Sequence, residues 1–214
     1  DIRGAGNLLG AEQSGFIADL GYETYQRVLN EAVNELKTQE FSSLYEDEIK
    51  QSTEGEGSFF VEDCNVESDI PMFFPETYVP GVSERIMLYR ELDSISDDSE
   101  LQRYRQRLAD RFGTPPRQAE ALMLMPALRR KARALGVEKV FMKNKSMTLF
   151  FVSNNASPFY KSNTFGNIID YAMKHLHRCK LDETNGKRKM LIANIPTPEA
   201  AITVLDEILV KKED

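Results

Sequence analysis

Histidine is scarce in this chain, which has only His175 and His177, and cysteine is equally scarce, with Cys64 and Cys179. Two histidines this close together cannot support a Ser–His–Asp or Cys–His catalytic arrangement. Two cysteines make a poor disulfide framework, so a reduced, cytoplasmic chain is expected. No apolar run approaches the roughly 18 residues that span a bilayer, and no signal-peptide pattern is present, so no membrane partner is expected. No internal repeat or low-complexity tract occurs. What is present is ordinary for a globular protein: 214 residues, 41% hydrophobic and 29% charged, enough for one or two domains with a real core.

The net charge of −7 hides an uneven distribution. Residues 1–57 carry 4 basic and 12 acidic side chains, and residues 58–100 carry 2 and 11. Residues 101–136 reverse the sign with 9 basic and 2 acidic, and residues 137–214 carry 12 and 9. An acidic front and a basic middle leave one face able to meet DNA or an acidic protein surface.

The first fifteen residues, DIRGAGNLLGAEQSG, place Gly4, Gly6, Gly10 and Gly15 around Arg3, Gln13 and Ser14. Glycine at this density marks a shaped loop rather than a helix interior. The spacing is G-x-G-x-x-x-G with no strand before it, which is not a dinucleotide fingerprint, and Gly10 is followed by Ala11-Glu12 where a phosphate loop needs Lys-Ser/Thr. Tyr22–Gln39 then repeats apolar residues at helical spacing (Tyr25, Val28, Leu29, Ala32, Val33, Leu36), with Phe41–Glu48 as a short second helix. The polar, glycine-bearing run Lys50–Ser58 reads as a linker.

Phe59–Phe74 alternates weakly and predicts one or two strands, with Pro71 placing them at an edge. Ser83 is the expected N-cap of a helix using Ile86, Tyr89 and Leu92. Asp97 followed by Glu100 predicts a capped helix that carries Leu101, Tyr104, Leu108 and Phe112 on one face and closes at Gly113. Thr114-Pro115 is expected to start a helix running to Leu135, kinked or split by Pro126.

The period changes in the last third. Val137–Met142 and Met147–Val152 read as a hairpin through Lys143–Ser146. Ser157-Pro158 opens a helix using Phe165, Ile168, Ile169, Ala172 and Leu176; Arg178–Asp182 and Arg188–Ala193 flank the hairpin turn Asn185-Gly186; Thr197-Pro198 caps a last helix with Ile202, Leu205 and Leu209. The predicted fold class is α+β: a helical N-terminal segment, then a domain whose helices pack on one face of a mixed or antiparallel sheet, with order ββαββα in the last third.

Asp1, Arg3, Gly4, Gly6, Leu9, Gly10, Gln13, Ser14 and Gly15 meet the pattern (D/E)-x-R-G-x-G-x-x-L-G-x-x-Q-S-G. PETYVP at Pro75–Pro80, Ser83–Arg85, L-x-D-R-F-G at Leu108–Gly113 and L-R-x-x-A-x-x-L-G-V at Leu128–Val137 follow in order. In these motifs the chain resembles the transcription-repair coupling factor family, whose motor lobe resembles that of RecG. The resemblance implies that 1–50 is the end of a RecG-like motor lobe, 51–58 a linker and 59–214 a C-terminal regulatory domain. It implies a parent that is an ATP-dependent double-stranded-DNA translocase of helicase superfamily 2, using ATP and Mg. That parent displaces stalled RNA polymerase and recruits excision repair. This chain carries no phosphate-binding motif, so it is expected to need no cofactor and to turn over no ATP alone.

Three sets of residues stand out. Arg3 with Gly4, Gly6 and Gln13 takes, by the resemblance, a role coupling motor motion to translocation; the plainer reading is an arginine that pins its own loop. Arg103, Arg107 and Arg111 lie four apart on one helix face. The resemblance assigns Asp110 and Arg111 to a surface that docks on the UvrB-like domain of the same chain and masks its UvrA-binding surface; Arg107 stands where some relatives have an acid. Arg129, Arg130, Lys131 and Arg133 form a second basic cluster, readable as phosphate contacts or as a solvated face. His175, His177 and Cys179 do not share a helical face and predict no metal site. Cys64 reads as a small buried thiol, and Glu46-Asp47-Glu48 as a solvated acidic run. The alternative is a stand-alone α+β nucleic-acid-binding module using its sheet face, for which Phe141, Phe150 and Phe151 are the candidate aromatics. Burial of Phe141 and Phe151 favours docking; exposure of both beside lysines favours the module.

Overall fold

The computed structural model describes residues 60–210. The loop Asp1–Gly15 with Arg3, Gly4, Gly6 and Gln13, the helical patterns over Tyr22–Gln39 and Phe41–Glu48, and the linker lie outside the described residues. The described elements are β1 (Asn65–Ser68), α1 (Val82–Asp93), α2 (Asp98–Phe112), α3 (Arg117–Met123), α4 (Met125–Ala134), β2 (Val137–Lys143) and β3 (Ser146–Phe151). A 3-10 turn (Pro158–Lys161), α5 (Asn163–Lys174), β4 (Cys179–Thr184), β5 (Lys187–Ala193) and α6 (Pro198–Leu209) complete them.

The strands form one sheet in the order β1-β2-β3-β5-β4. Three neighbouring pairs are antiparallel, and β1 runs parallel to β2 at one edge. A parallel pair needs a long crossover, and α1 to α4 supply it. The sheet is therefore mixed, and the ββαββα order holds over its last four strands. Pro71 follows the edge strand, where a missing N–H breaks no ladder.

Register explains which residues are core. Val66, Val140, Leu149 and Met190 are cross-strand neighbours and buried, as are Met142, Met147 and Ile192 one row along. The pairing slips between Val137 and Lys139 at a bulge, so Glu138 is the extra residue. The bulge lets Val137 and Val140, three apart, both face inward, which strict alternation forbids. Glu138 is held by accepting from the Ser153 backbone N–H (2.9 Å) and hydroxyl.

Local chemistry sets most element ends. Asp97 caps α2 by accepting from the Glu100 N–H at 2.9 Å, and Glu100 reaches back to the Ser96 N–H. Thr197 caps α6 on the Ala200 N–H. Both hairpins turn through left-handed residues, Asn144-Lys145 and Asn185-Gly186. Other starts differ from expectation. Ser83 lies inside α1, whose N-cap is Gly81 with no side-chain cap. The helix after Gly113 begins at Arg117 beyond Pro116, so Thr114 is not its cap. Pro126 splits that helix rather than kinking it. It sits in the first turn of α4, where an N–H has no helical acceptor in any case. Ser157 caps only the 3-10 turn, and a second cap, Ser162, starts α5. Leu176 lies past the end of α5 and is 66% exposed.

The PETYVP and Ser83–Arg85 landmarks meet in space. Arg85 is 3% exposed and donates from Nη1 to the carbonyls of Val79 (2.6 Å) and Pro80 (3.1 Å). Phe74 stacks on Tyr89, and the Tyr89 hydroxyl accepts from the Phe74 N–H. A rigid connection thus seats α1 on the core.

Candidate docking surface

The buried face of α2 is Tyr104 and Leu108, with Leu101 and Phe112 half-buried beside them. The rest of the helix is outward. Arg103, Gln106 and Asp110 are exposed, and Gln106 Nε2 donates to Asp110 at 2.8 Å. Arg107 and Arg111 lean across the seam to α1, where they pair with Glu91 and Glu84. The two arginine side chains remain 58% and 66% exposed. Exposed pairs of this kind contribute about 0–1 kcal/mol each, so they do little for stability and leave their charges available to a partner. On the far flank Arg105 pairs with Glu120 of α3. The outcome is a stripe of mixed sign along α2, edged with acids from α1.

The second basic cluster is used differently. Arg129 is 18% exposed and donates to Asp63 (2.5 Å), Asp93 (2.6 Å) and the Cys64 carbonyl (3.2 Å). It ties α4 to the segment before β1 and to the end of α1. Arg130 holds Asp98 (2.8 Å) and the Ser96 carbonyl (2.9 Å) at the α1–α2 connection. Lys131 pairs with Asp206 of α6, and Arg133 is half-buried on the same helix. Acids of 58–100 therefore neutralise bases of 101–136 within the fold. Glu84 and the buried Arg85 belong to the Ser83–Arg85 landmark, but nothing in the sequence paired Glu84 with Arg111, and Glu91 had no signal beyond that block-wise charge reversal.

Of the remaining candidates, His175 and His177 have ring centroids 6.2 Å apart, while both cysteines are buried. His175 ends α5 with its ring stacked on Tyr171 at 4.1 Å, His177 lies in the following turn, and Cys179 starts β4, buried. Among the described residues no three His, Cys, Asp or Glu side chains cluster as metal ligands would. Burial pushes the Cys64 thiol up to about 12, with Arg129 acting the other way. An open groove of about 1270 Å³ separates α5 from α6, lined by Asp170, Tyr171, Lys174, Thr203 and Glu207 among others. Tyr171 donates to Glu207 (2.9 Å) and accepts from Arg178 (2.7 Å), and burial, then Glu207, holds its phenol up to about 12. It stays protonated near neutral pH. Of the three strand aromatics, Phe151 is core at 3% exposure, whereas Phe141 and Phe150 are half-buried on the opposite sheet face. No described helix is long and apolar enough to cross a membrane.

Comparison with known proteins agrees with this architecture. Residues 68–162 match the TRCF domain family. Transcription-repair-coupling factor of Escherichia coli (strain K12) is 35% identical over 155 residues, 72% of this chain and 12% of the relative. The protein of the same name from Borreliella burgdorferi is 29% identical over 175 residues, 82% of this chain and 14% of that protein. The chain thus spans 12% and 14% of the length of these curated relatives. A crystal structure of the C-terminal domain of transcription-repair coupling factor shares the fold at TM-score 0.53 and 18% identity, covering 69% of this chain and 93% of that one.

Proposed function

The chain belongs to the TRCF-domain family of transcription-repair coupling factors, and on that premise we propose that 59–214 is the regulatory domain of such a protein, docking through α2 on a UvrB-like domain of the same polypeptide. Residues 1–50 end the motor lobe and 51–58 link the two units. Arg3, Gly4, Gly6 and Gln13 couple motor motion to translocation. The longer protein is a cytoplasmic, ATP-dependent translocase on double-stranded DNA, using ATP and Mg, that displaces stalled RNA polymerase. Docking keeps the UvrA-binding surface of the UvrB-like domain masked until the motor engages.

The observation that supports docking over DNA contact is the composition of the α2 stripe. A phosphate backbone is uniformly anionic, whereas this surface presents Asp110 between Arg107 and Arg111, with Glu84 and Glu91 alongside. Alternating sign suits a protein surface of opposite pattern and fixes its register. The rival phosphate surface is weaker, because Arg129, Arg130 and Lys131 each already hold a carboxylate that phosphate would have to displace.

The test is calorimetry of the 214-residue chain against the isolated UvrB-like domain at two salt concentrations. Binding is expected to weaken with salt, and Arg111→Glu or Asp110→Arg to weaken it at least about tenfold, the scale of charge-pair couplings in interfaces. Unchanged affinity in both variants would refute the assignment. The chain alone is expected to hydrolyse no ATP, and measurable turnover would likewise overturn the reading.

A further inference from the structure

The sheet has two faces and the core accounts for one. On the other, β2, β3 and β5 lie side by side, with Lys139, Phe150 and Lys189 in one cross-strand row and Phe141, Thr148 and Leu191 in the next. Phe141 and Phe150 are half-buried and Leu191 is 41% exposed, and none of the three packs against the hydrophobic core. Large apolar side chains that the core does not use form a surface with another purpose.

Charge on this face is arranged from the centre outward. The three central strands contribute Lys139, Lys143, Lys187 and Lys189 and, on this face, no carboxylate. The acids are confined to the margins, where Glu67 of β1 pairs with Lys139 (2.7 Å) and Asp182 of β4 with Lys189 (3.2 Å). Asp69, just past β1, is occupied by the Asn144 N–H. Lys143 and Lys187 are exposed and form no ion pair among the described residues. Lys139 Nζ lies 5.9 Å from the centre of the Phe141 ring, so a cation and a ring face share one position.

We propose that this sheet face binds single-stranded nucleic acid, with Phe141 and Phe150 as stacking platforms and the exposed Lys143 and Lys187, which hold no carboxylate among the described residues, meeting phosphates. Flat rings accept any base, and each stacked base contributes substantially where such faces bind. Lysine ammonium groups on flexible stems meet phosphates as point charges without fixing sequence. An acidic or purely apolar protein segment satisfies one half of this pattern; alternating ring and cation at strand spacing suits a chain that alternates base and phosphate. The surface is separate from the α2 stripe, so this inference and the docking assignment stand or fall independently.

The experiment is fluorescence anisotropy of the 214-residue chain with a labelled oligothymidine and a labelled oligouridine, each at about 50 mM and about 200 mM salt. Binding is expected for both, weaker at the higher salt. Phe141→Ala with Phe150→Ala is expected to raise Kd at least about 30-fold, the lower end of what unstacking two bases gives. Lys143→Gln with Lys187→Gln touches two exposed side chains and leaves folding intact. It should lower the slope of log affinity against log salt by about 1.4, since each single-strand phosphate that a lysine neutralises adds about 0.7. No binding at the lower salt overturns the proposal. So does oligonucleotide binding that both double variants leave unchanged. Loss of capture of the UvrB-like domain, or of self-association, in the phenylalanine variant without loss of oligonucleotide binding would assign the face to a protein instead.

Discussion

Replacing Gly136 with alanine tests the tightest approach at any glycine among the described residues. Gly136 ends α4 at φ +66, and an added Cβ would lie 2.3, 2.6 and 2.8 Å from three ring carbons of Phe159. Neither side can yield. Phe159 is 0% exposed and wedged among Phe60, Phe151, Tyr160 and Phe165, at centroid distances of 5.0–6.1 Å. The Gly136 carbonyl accepts from the Val152 N–H at 3.0 Å, which pins the backbone. Left-handed backbone costs a non-glycine residue about 1–2 kcal/mol, and forcing an extra methyl into a packed core adds about 1–3 kcal/mol, so Gly136→Ala should destabilise by roughly 2–5 kcal/mol. Gly186→Ala is the control, because it shares the left-handed φ (+74) but its Cβ meets only the Asn155 amide, at 3.3 Å. That variant should lose only the backbone part, about 1–2 kcal/mol. Urea unfolding followed by circular dichroism gives both values. Adding Phe159→Leu to Gly136→Ala should recover part of the loss, a positive coupling that independent sites do not show. Equal losses at the two glycines, or no coupling to Phe159, would refute the close-packing argument.

Further outcomes follow from the same geometry. Arg85→Met should cost about 3 kcal/mol in the same assay, since it leaves the Val79 and Pro80 carbonyls without their charged donor. Thr197→Ala removes the cap on the Ala200 N–H and should cost about 1 kcal/mol. Arg107→Ala breaks an exposed ion pair and a cation–ring contact with Tyr104 at 5.8 Å, and should change stability by less than about 2 kcal/mol while still weakening docking. Cys64 titrates near 9.0 when unfolded and is pushed up to about 12 by burial, so its contribution is whole below pH 9 and is lost between 9 and about 12. Below that window the thiol is protonated in both states. Within it the Cys64 thiol ionises in the unfolded chain alone and adds up to about 1.4 kcal/mol per pH unit to the fall in stability, the share of the slope that Cys64→Ala removes. At neutral pH a thiol reagent should label Cys64 only as fast as the fold opens.

The α2 helix and its Asp97 cap, the split at Pro126, both hairpins and the α6 cap could be read from residue order because each is decided within a few residues. A side-chain oxygen reaches an N–H two or three positions on, a proline removes one donor, and an Asn or Gly tolerates positive φ. The misplaced starts have the same locality. Ser83 and Thr114 are competent caps, but the chain entering each helix is set by the packed Tyr78 and Val79 and by Pro116, not by the hydroxyl. For the candidate surface, the four-residue spacing placed Arg103, Arg107 and Arg111 on one face, while their neighbours Glu84 and Glu91 come from a different helix.

Residue order alone therefore determined most of the described elements (though not all their starts), the class of fold and the family motifs, since these depend on spacing along the chain. Tertiary structure decided what depends on position in space. It set β1 parallel to β2, turned Phe151 inward and Phe150 outward, and directed Arg129, Arg130 and Lys131 to internal acids. The reason is range: a cap or a turn acts over about four residues, whereas an ion pair such as Arg129 with Asp63 joins positions that only folding brings together.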